Sequence, residues 1–308
     1  MAIRIVEFFG YTPGSSAGKA FADRKHCPFV DDSCLKPRHG ACTLQALKDV
    51  EAVICCPNRL YANKFRLLND IGQIAFGEDI QIITAKEVKI RLASGAMTGH
   101  EVVAFGKYWG GELPLPKGSK SDTKKVSGSY YMDWILAKVS TDGTVNELTA
   151  IEVQTIDTTG NYSAQSEAFF QGLPFVDAQG RNPGYSNSGF NWENVNKRIL
   201  PQVIYKGHAL RREPKCTKGL FFCCPRAVFE RIRDRLGNSL HEYHPSSGTI
   251  TFVSYSLDED AIPNRPYPLS LVETFTTTVD QVCLAFSSPQ NLPPASVYEQ
   301  AINASLRK

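Results

Sequence analysis

The feature that most constrains this chain is the segment Tyr130 to Thr155, where two alternating runs flank Thr141-Asp142-Gly143-Thr144. Asp-Gly between such runs is a strong signal for a two-residue hairpin turn. With Asp142 and Gly143 as the loop, Thr141 faces Thr144. The same register sets Trp134 against Ile151, Met132 against Val153 and Leu136 against Thr149. Those residues make one largely apolar face, while Asp133, Glu152, Tyr131 and Gln154 share the other, with Asp133 directly opposite Glu152. The alternation agrees on both arms, and a slip of one residue would turn every side chain over.

Two carboxylates facing each other across a hairpin have Cβ atoms ~5 Å apart, and like charges so placed destabilise the sheet. A shared proton, a nearby Lys or Arg, or a divalent cation offsets that cost, and hard cations such as Mg²⁺ prefer carboxylate oxygen. The plain alternative is an exposed, solvated pair. Against it stands Gln154 on the same face, whose amide oxygen can bind a metal or an attacking water. Asp-x(18)-Glu-x-Gln is then a sparse metal-nuclease arrangement.

Elsewhere, Ile3–Phe9 reads as a strand, and Asn58 onward as a helix in which Leu60, Leu67, Leu68, Ile71, Ile74 and Ala75 recur at three- and four-residue spacing, with Asn58 as N-cap and Gly77 as stop. A strand at Ile80–Thr84, a short helix over Ala85–Ala93 and a strand at Glu101–Phe105 follow. Gly172–Gly189 is loop. A helical pattern begins at Asn191 and is interrupted at Pro201; another runs from Pro225 to Leu236. Strands are expected at Thr249–Tyr255 and Leu269–Thr276, and a helix at Pro294–Leu306. Strands alternating with helices predict an α/β or α+β fold with a mixed sheet, not a sandwich or a bundle.

Cys27-x(6)-Cys34-x(7)-Cys42-x(12)-Cys55-Cys56 places five of nine cysteines in a stretch with almost no periodicity. Such a stretch needs something to fold around. Four thiols suffice for a tetrahedral zinc or iron site, although this spacing is no standard ribbon. Cys55 reads as a buried thiol, because adjacent residues rarely both ligate; His26 and His39 are reserve ligands. Cys216, Cys223, Cys224 and Cys283 form no ligand pattern. No apolar run reaches the ~18 residues of a membrane span, and Met1–Phe9 carries Arg4 and Glu7, unlike a signal peptide. The expectation is a cytoplasmic chain with thiols that are free or metal-bound.

Net charge is only +3, so charge alone neither demands nor excludes a polyanionic partner. The basic residues are clustered, however: Lys117, Lys120, Lys124 and Lys125; Lys197-Arg198; Arg211-Arg212-Lys215; and Arg226 to Arg235. The last group is balanced by Glu230 and Asp234. Around Lys206-Gly207-His208-Ala209-Leu210-Arg211-Arg212 only Glu213 is close in sequence, which suits a phosphate or guanine contact.

An ordered set of elements resembles the NotI-type restriction endonucleases: Gly10-Tyr11-x-Pro13, Cys27-Pro28-Phe29, Cys34-x-Lys36, Gly40-x-Cys42, Trp109-Gly-Gly-Glu112, Tyr131-x-Asp133-Trp134, Glu152-Val-Gln154 through Tyr162, and Asn191-Trp192-Glu193-Asn194-Val195-Asn196-Lys197-Arg198. The likeness runs from about residue 6 to about residue 230. It implies a PD-(D/E)xK nuclease-like mixed sheet flanked by helices, with Gln in the usual lysine position. Asp133 would be the motif aspartate, Glu152 the second metal carboxylate, Gln154 the residue in the lysine slot and Glu112 an additional acid. Cys27, Cys34, Cys42 and Cys56 would form the family's Cys₄ module, with Cys56 favoured over Cys55 because a Cys-Pro step resembles the metal knuckle.

The resulting expectation is a bacterial, cytoplasmic type II restriction endonuclease: a Mg²⁺-dependent phosphodiesterase acting on double-stranded DNA, as a homodimer matched to a GC-rich palindrome. Residues 1–95 would hold the metal-binding module (about 20–60, with structural Zn or Fe) and assist recognition; residues 96–308 would form the catalytic core. Lys197, Arg198, Arg211 and Arg212 would contact DNA. A metal-braced DNA-binding protein without cleavage is the first rival, and a glycosidase using the two carboxylates the second.

Overall fold

The computed structural model describes residues 2–36, 40–49, 51–113, 131–160, 162–176, 184–258, 262, 264–288, 292 and 294–307. At its centre the hairpin forms in the expected register: Trp134 pairs with Ile151, Leu136 with Thr149 and Lys138 with Glu147. The turn itself is wider than two residues. Gly143, at φ 83°, donates its N–H to the Ser140 carbonyl at 2.9 Å, and Val139 pairs with Val145. A bulge between Lys138 and Val139 absorbs the extra residue, which is why the rest of the ladder keeps its pairing.

Among the described residues the hairpin lies in a seven-stranded mixed sheet, in the order Leu269–Thr278, Thr249–Leu257, Leu220–Pro225, Val145–Val153, Trp134–Val139, Glu101–Gly106, Gln81–Thr84. Leu220–Pro225 is parallel to both neighbours, and Gln81–Thr84 is parallel to Glu101–Gly106; the other pairings are antiparallel. Helix Ala62–Phe76 covers one face, with Leu67, Leu68 and Ile71 in one core with Trp134, Leu136 and Ile151. Helices Leu200–Leu210, Arg226–Leu236 and Val279–Ser287 cover the other, with Val203, Val228 and Val282 in one core with Ala150, Phe222 and Phe252. Met132 joins this second core, not the Trp134 face, because the ladder ends at Trp134 and the chain bends at Asp133.

The central strand Leu220–Pro225 is one of the elements that the sequence pattern does not reveal, with the helices Ser16–Arg24, Ser163–Phe170 and Val279–Ser287. Its run Leu-Phe-Phe-Cys-Cys-Pro is buried throughout. A strand covered on both faces shows no alternation, so period two cannot reveal it. Phe221 and Phe222 are each fully buried, an arrangement that contributes roughly 1.5–3 kcal/mol per side chain.

Three further expectations change. The Cys-rich stretch is more regular than its sequence suggests: Ala41–Ala46 pairs with Ile3–Phe8 and Val53–Ile54 in a separate three-stranded antiparallel sheet. Asn58 caps no helix. It sits buried in a 3₁₀ turn, Pro57–Tyr61, and three residues with positive φ, Asn63, Lys64 and Phe65, precede the regular part of the helix that ends at Gly77. Pro201 does not interrupt the following helix. A π-helical turn over Val195–Ile199 runs directly into Leu200–Leu210, with Pro201 in the first turn of the latter, where a missing N–H costs nothing.

Candidate active site

The carboxylate-bearing end of the hairpin lies just beyond its last ladder pair. Asp133 Oδ2 accepts a hydrogen bond from the Val153 N–H at 2.8 Å, so the side chain turns across to the opposite arm. Glu152 is buried, and Gln154 Nε2 donates to its Oε1 at 3.3 Å. The Gln154 backbone N–H is held by the Cys223 carbonyl at 2.9 Å, so the central strand supports this end of the site. Burial, then the facing Glu152, then the more distant Glu112 push the Asp133 carboxyl well above the usual carboxylate range, against the Val153 N–H and the ammonium of Lys206. A cavity of about 480 Å³ opens here, lined by Asp133, Gln154, Glu112, Asn58, Tyr108 and Arg198 among others. The four predicted acidic and amide residues therefore converge at one end of the sheet.

Lys206, which the sequence places in a basic segment suited to a phosphate or guanine contact, is instead buried against Glu152. From the helix Leu200–Leu210 its ammonium donates to Glu152 Oε2 at 2.5 Å and to the Tyr131 carbonyl at 2.7 Å. A signal for it exists in the helical period, since Lys206 falls on the same buried stripe as Val203, Gly207 and Leu210. A lysine on such a stripe needs an acidic partner. The cavity wall also holds Lys36, part of the Cys34-x-Lys36 element, and Lys107.

The predicted DNA-contacting residues separate. Arg198 lines the cavity and reaches Asp157 at 3.6 Å. Lys197 pairs with Glu193 one turn away. Arg211 and Arg212 lie at the far end of the same helix, Arg211 bonded to Asp280 at 2.7 Å. Lys117, Lys120, Lys124, Lys125 and His39 lie outside the described residues.

The five N-terminal thiols point two ways. Cys42 and Cys56 are hydrogen-bonded to each other, and Cys27 and Cys34 lie close enough to feel the charge of Cys56. The Cys42 contact, then opposing burial, then Lys36 leave the Cys56 thiol lowered to about 7. Cys55 turns away, donating to the Ala41 and Cys42 carbonyls and packing in the core that contains Phe8, Phe9 and Leu44. Burial pushes its thiol up to about 12. Asn58 Nδ2 contacts Cys27 Sγ at 3.8 Å, and its Oδ1 accepts from the Tyr108 hydroxyl at 3.0 Å, joining this module to the cavity wall. Among the described residues, no three His, Cys, Asp or Glu side chains are arranged to hold a metal ion. By chemistry the donor sets still fit: soft thiols in one place, and hard oxygens with uncompensated charge in the other.

The mixed sheet brings carboxylates, an amide and cationic side chains together at an open polar cavity, an arrangement that suits a nuclease. Residues 14–220, about two thirds of the chain, match the profile of the family described as restriction endonuclease NotI, and the chain belongs to that family. It is accordingly a type II site-specific deoxyribonuclease, which binds double-stranded DNA and cleaves it at a specific site. This decides against the glycosidase and the non-cleaving DNA-binding protein. No curated protein matches the chain. Among the described residues no helix is long and apolar enough to cross a membrane.

Proposed function

We propose that DNA hydrolysis takes place at Asp133, Glu152 and Gln154, with Glu112 as an additional acid, in a PD-(D/E)xK-like site whose lysine position is taken by Gln154. The observation that carries this reading is that Asp133, Gln154 and Glu112 line one cavity, with Glu152 buried behind its wall and hydrogen-bonded to Gln154, in a chain of the NotI family. Asp133 and Glu152 would hold Mg²⁺, which when bound acidifies the attacking water and stabilises charge on the leaving oxygen. Val153 N–H fixes one Asp133 oxygen and leaves the other free. Gln154 cannot take a proton near neutral pH; its amide orients the water or polarises the phosphate. Arg198 on the cavity wall is suited to the DNA backbone, with Lys197 beside it and Arg211 and Arg212 as peripheral contacts.

Cys27, Cys34, Cys42 and Cys56 would bind one structural zinc or iron that braces the recognition region, residues 1–95, against the catalytic region, residues 96–308. The orientation of Cys55 away from the other four thiols supports the choice of Cys56. The site read would be a GC-rich palindrome and the active form a homodimer. Digestion of a sequenced genome with Mg²⁺ against EDTA, followed by end mapping, tests cleavage, metal dependence and site together; cutting that persists in EDTA would refute the Mg²⁺ assignment. Elemental analysis tests the module. One zinc or iron per chain is expected, lost in Cys27→Ser but not in Cys55→Ser, and metal-free protein with full specific activity would remove it.

A further inference from the structure

We propose that Lys206 is a positioning residue of the cleavage site, supplied from a helix outside the hairpin, which anchors the Glu152 carboxylate and cancels one of the opposed charges. The proposal rests on the assignment of Asp133 and Glu152 to cleavage. Its geometry is closed on both sides. Lys206 holds Glu152 Oε2 while Gln154 holds Oε1, so the carboxylate is fixed at both oxygens. The same ammonium grips the Tyr131 carbonyl, two residues before Asp133. The backbone ladder has already ended at Trp134 and Ile151, so this bond ties the Asp133 segment to the Glu152 side chain where strand pairing does not.

Lys206 is 6% exposed and, like Glu152, lies behind the residues that line the cavity, so it acts on Glu152 without touching DNA. The helix is seated closely enough to deliver it because position 207 is Gly: a Cβ there would lie 2.6 Å from Val279 Cγ2. A buried lysine without an acidic partner is strongly disfavoured, and two opposed buried carboxylates without a cation are disfavoured too. Each defect relieves the other. With Lys206 present the carboxylate pair and its ammonium carry one net negative charge when all are ionised; without it they carry two.

That charge difference separates positioning from mere support of the fold. In Lys206→Met, Tb³⁺ binding to DNA-free protein should tighten at least about tenfold, because a cation a few ångströms away has been removed. At saturating DNA the Mg²⁺ cleavage rate should fall about 100-fold, the penalty of a misplaced reacting group, while DNA affinity in Ca²⁺ stays unchanged. Lys206→Gln, which keeps a donor but not the charge, replaces Met if the latter does not fold and should show the same two opposite shifts. A folded variant that cleaves at the wild-type rate overturns the proposal, and so does one whose Tb³⁺ affinity is unchanged or weaker. Asp133→Asn is the control: if it loses cleavage while Lys206→Met does not, only the role of the lysine has failed. Should Asp133→Asn cleave normally, the carboxylate assignment fails and this proposal with it.

Discussion

Glu7–Arg59 and Glu152–Lys206 are both buried ion pairs, one in the small sheet and one at the hairpin end, yet they are finished differently. Both side chains of the first are 0% exposed. Glu7 accepts from Arg59 Nε at 2.8 Å and from the Thr43 hydroxyl, while Arg59 also donates to the Tyr267 carbonyl and lies over the Phe29 ring at 4.8 Å. A forked guanidinium can reach a carboxylate, a carbonyl and a ring at once, and here only its Nη1 is buried without a hydrogen-bond partner among the described residues. In the second pair one ammonium faces Glu152 with Asp133 alongside, and the negative charge left over borders an open cavity. The charge-balanced pair joins two segments of the fold; the undersupplied one leaves net negative charge beside the cavity.

The largest expected effect breaks the undersupplied site. Asp133→Ala or Glu152→Ala should abolish cleavage while Ca²⁺-supported specific binding persists, and either variant retaining an appreciable cleavage rate would sink the assignment. Next comes the charge-balanced pair, where Arg59→Met leaves Glu7 buried without its partner and should cost ~3–5 kcal/mol of stability in urea unfolding. A loss below about 1 kcal/mol would show that Glu7 finds other partners.

A smaller effect has the opposite sign. The Asp133 carboxyl is raised to about 7 by burial and by Glu152, so the folded state binds its proton more tightly than the unfolded chain. Stability from this group is present below the unfolded pKa and lost as pH rises through the folded one. Asp133→Asn in EDTA should therefore match wild type near pH 4 and exceed it by ~1–2 kcal/mol near pH 8. An equal stability difference at both pH values would mean that the pair is not undersupplied. The smallest effect concerns Arg211, already paired with Asp280 at the surface. Arg211→Ala should weaken DNA binding by less than about 1 kcal/mol and reduce its salt dependence; a sequence-selective loss of ~1–3 kcal/mol would return it to base readout.

The hairpin was legible because period two marks both faces and the Asp-Gly turn anchors the register, even though the turn proved one residue wider. Asp133, Glu152 and Gln154 followed from that register. Lys206 did not, because it is brought to Glu152 across 54 residues of chain, and no local pattern encodes such a meeting. Leu220–Pro225 was hidden by its own burial, and the strand Ala41–Ala46 by four consecutive buried residues that also lack alternation. Arg198 and Lys197 are adjacent in one basic cluster, but a charge cluster carries no direction. Only the π-helical turn shows that Arg198 lines the cavity while Lys197 pairs with Glu193.

The position of the central strand in the chain also sets the order in which this enzyme can be built. Leu220 lies 67 residues beyond Val153, although the two strands pair directly. During synthesis the hairpin is therefore complete well before its parallel neighbour has been made, and pairings between distant segments form slowly. Until then the Val145–Val153 edge stands open, a template for wrong partners as well as the right one. The carboxylates also emerge before Lys206 and before the strand whose carbonyl seats Gln154, so a nascent chain carries the acids of a nuclease without the frame that sets them to work.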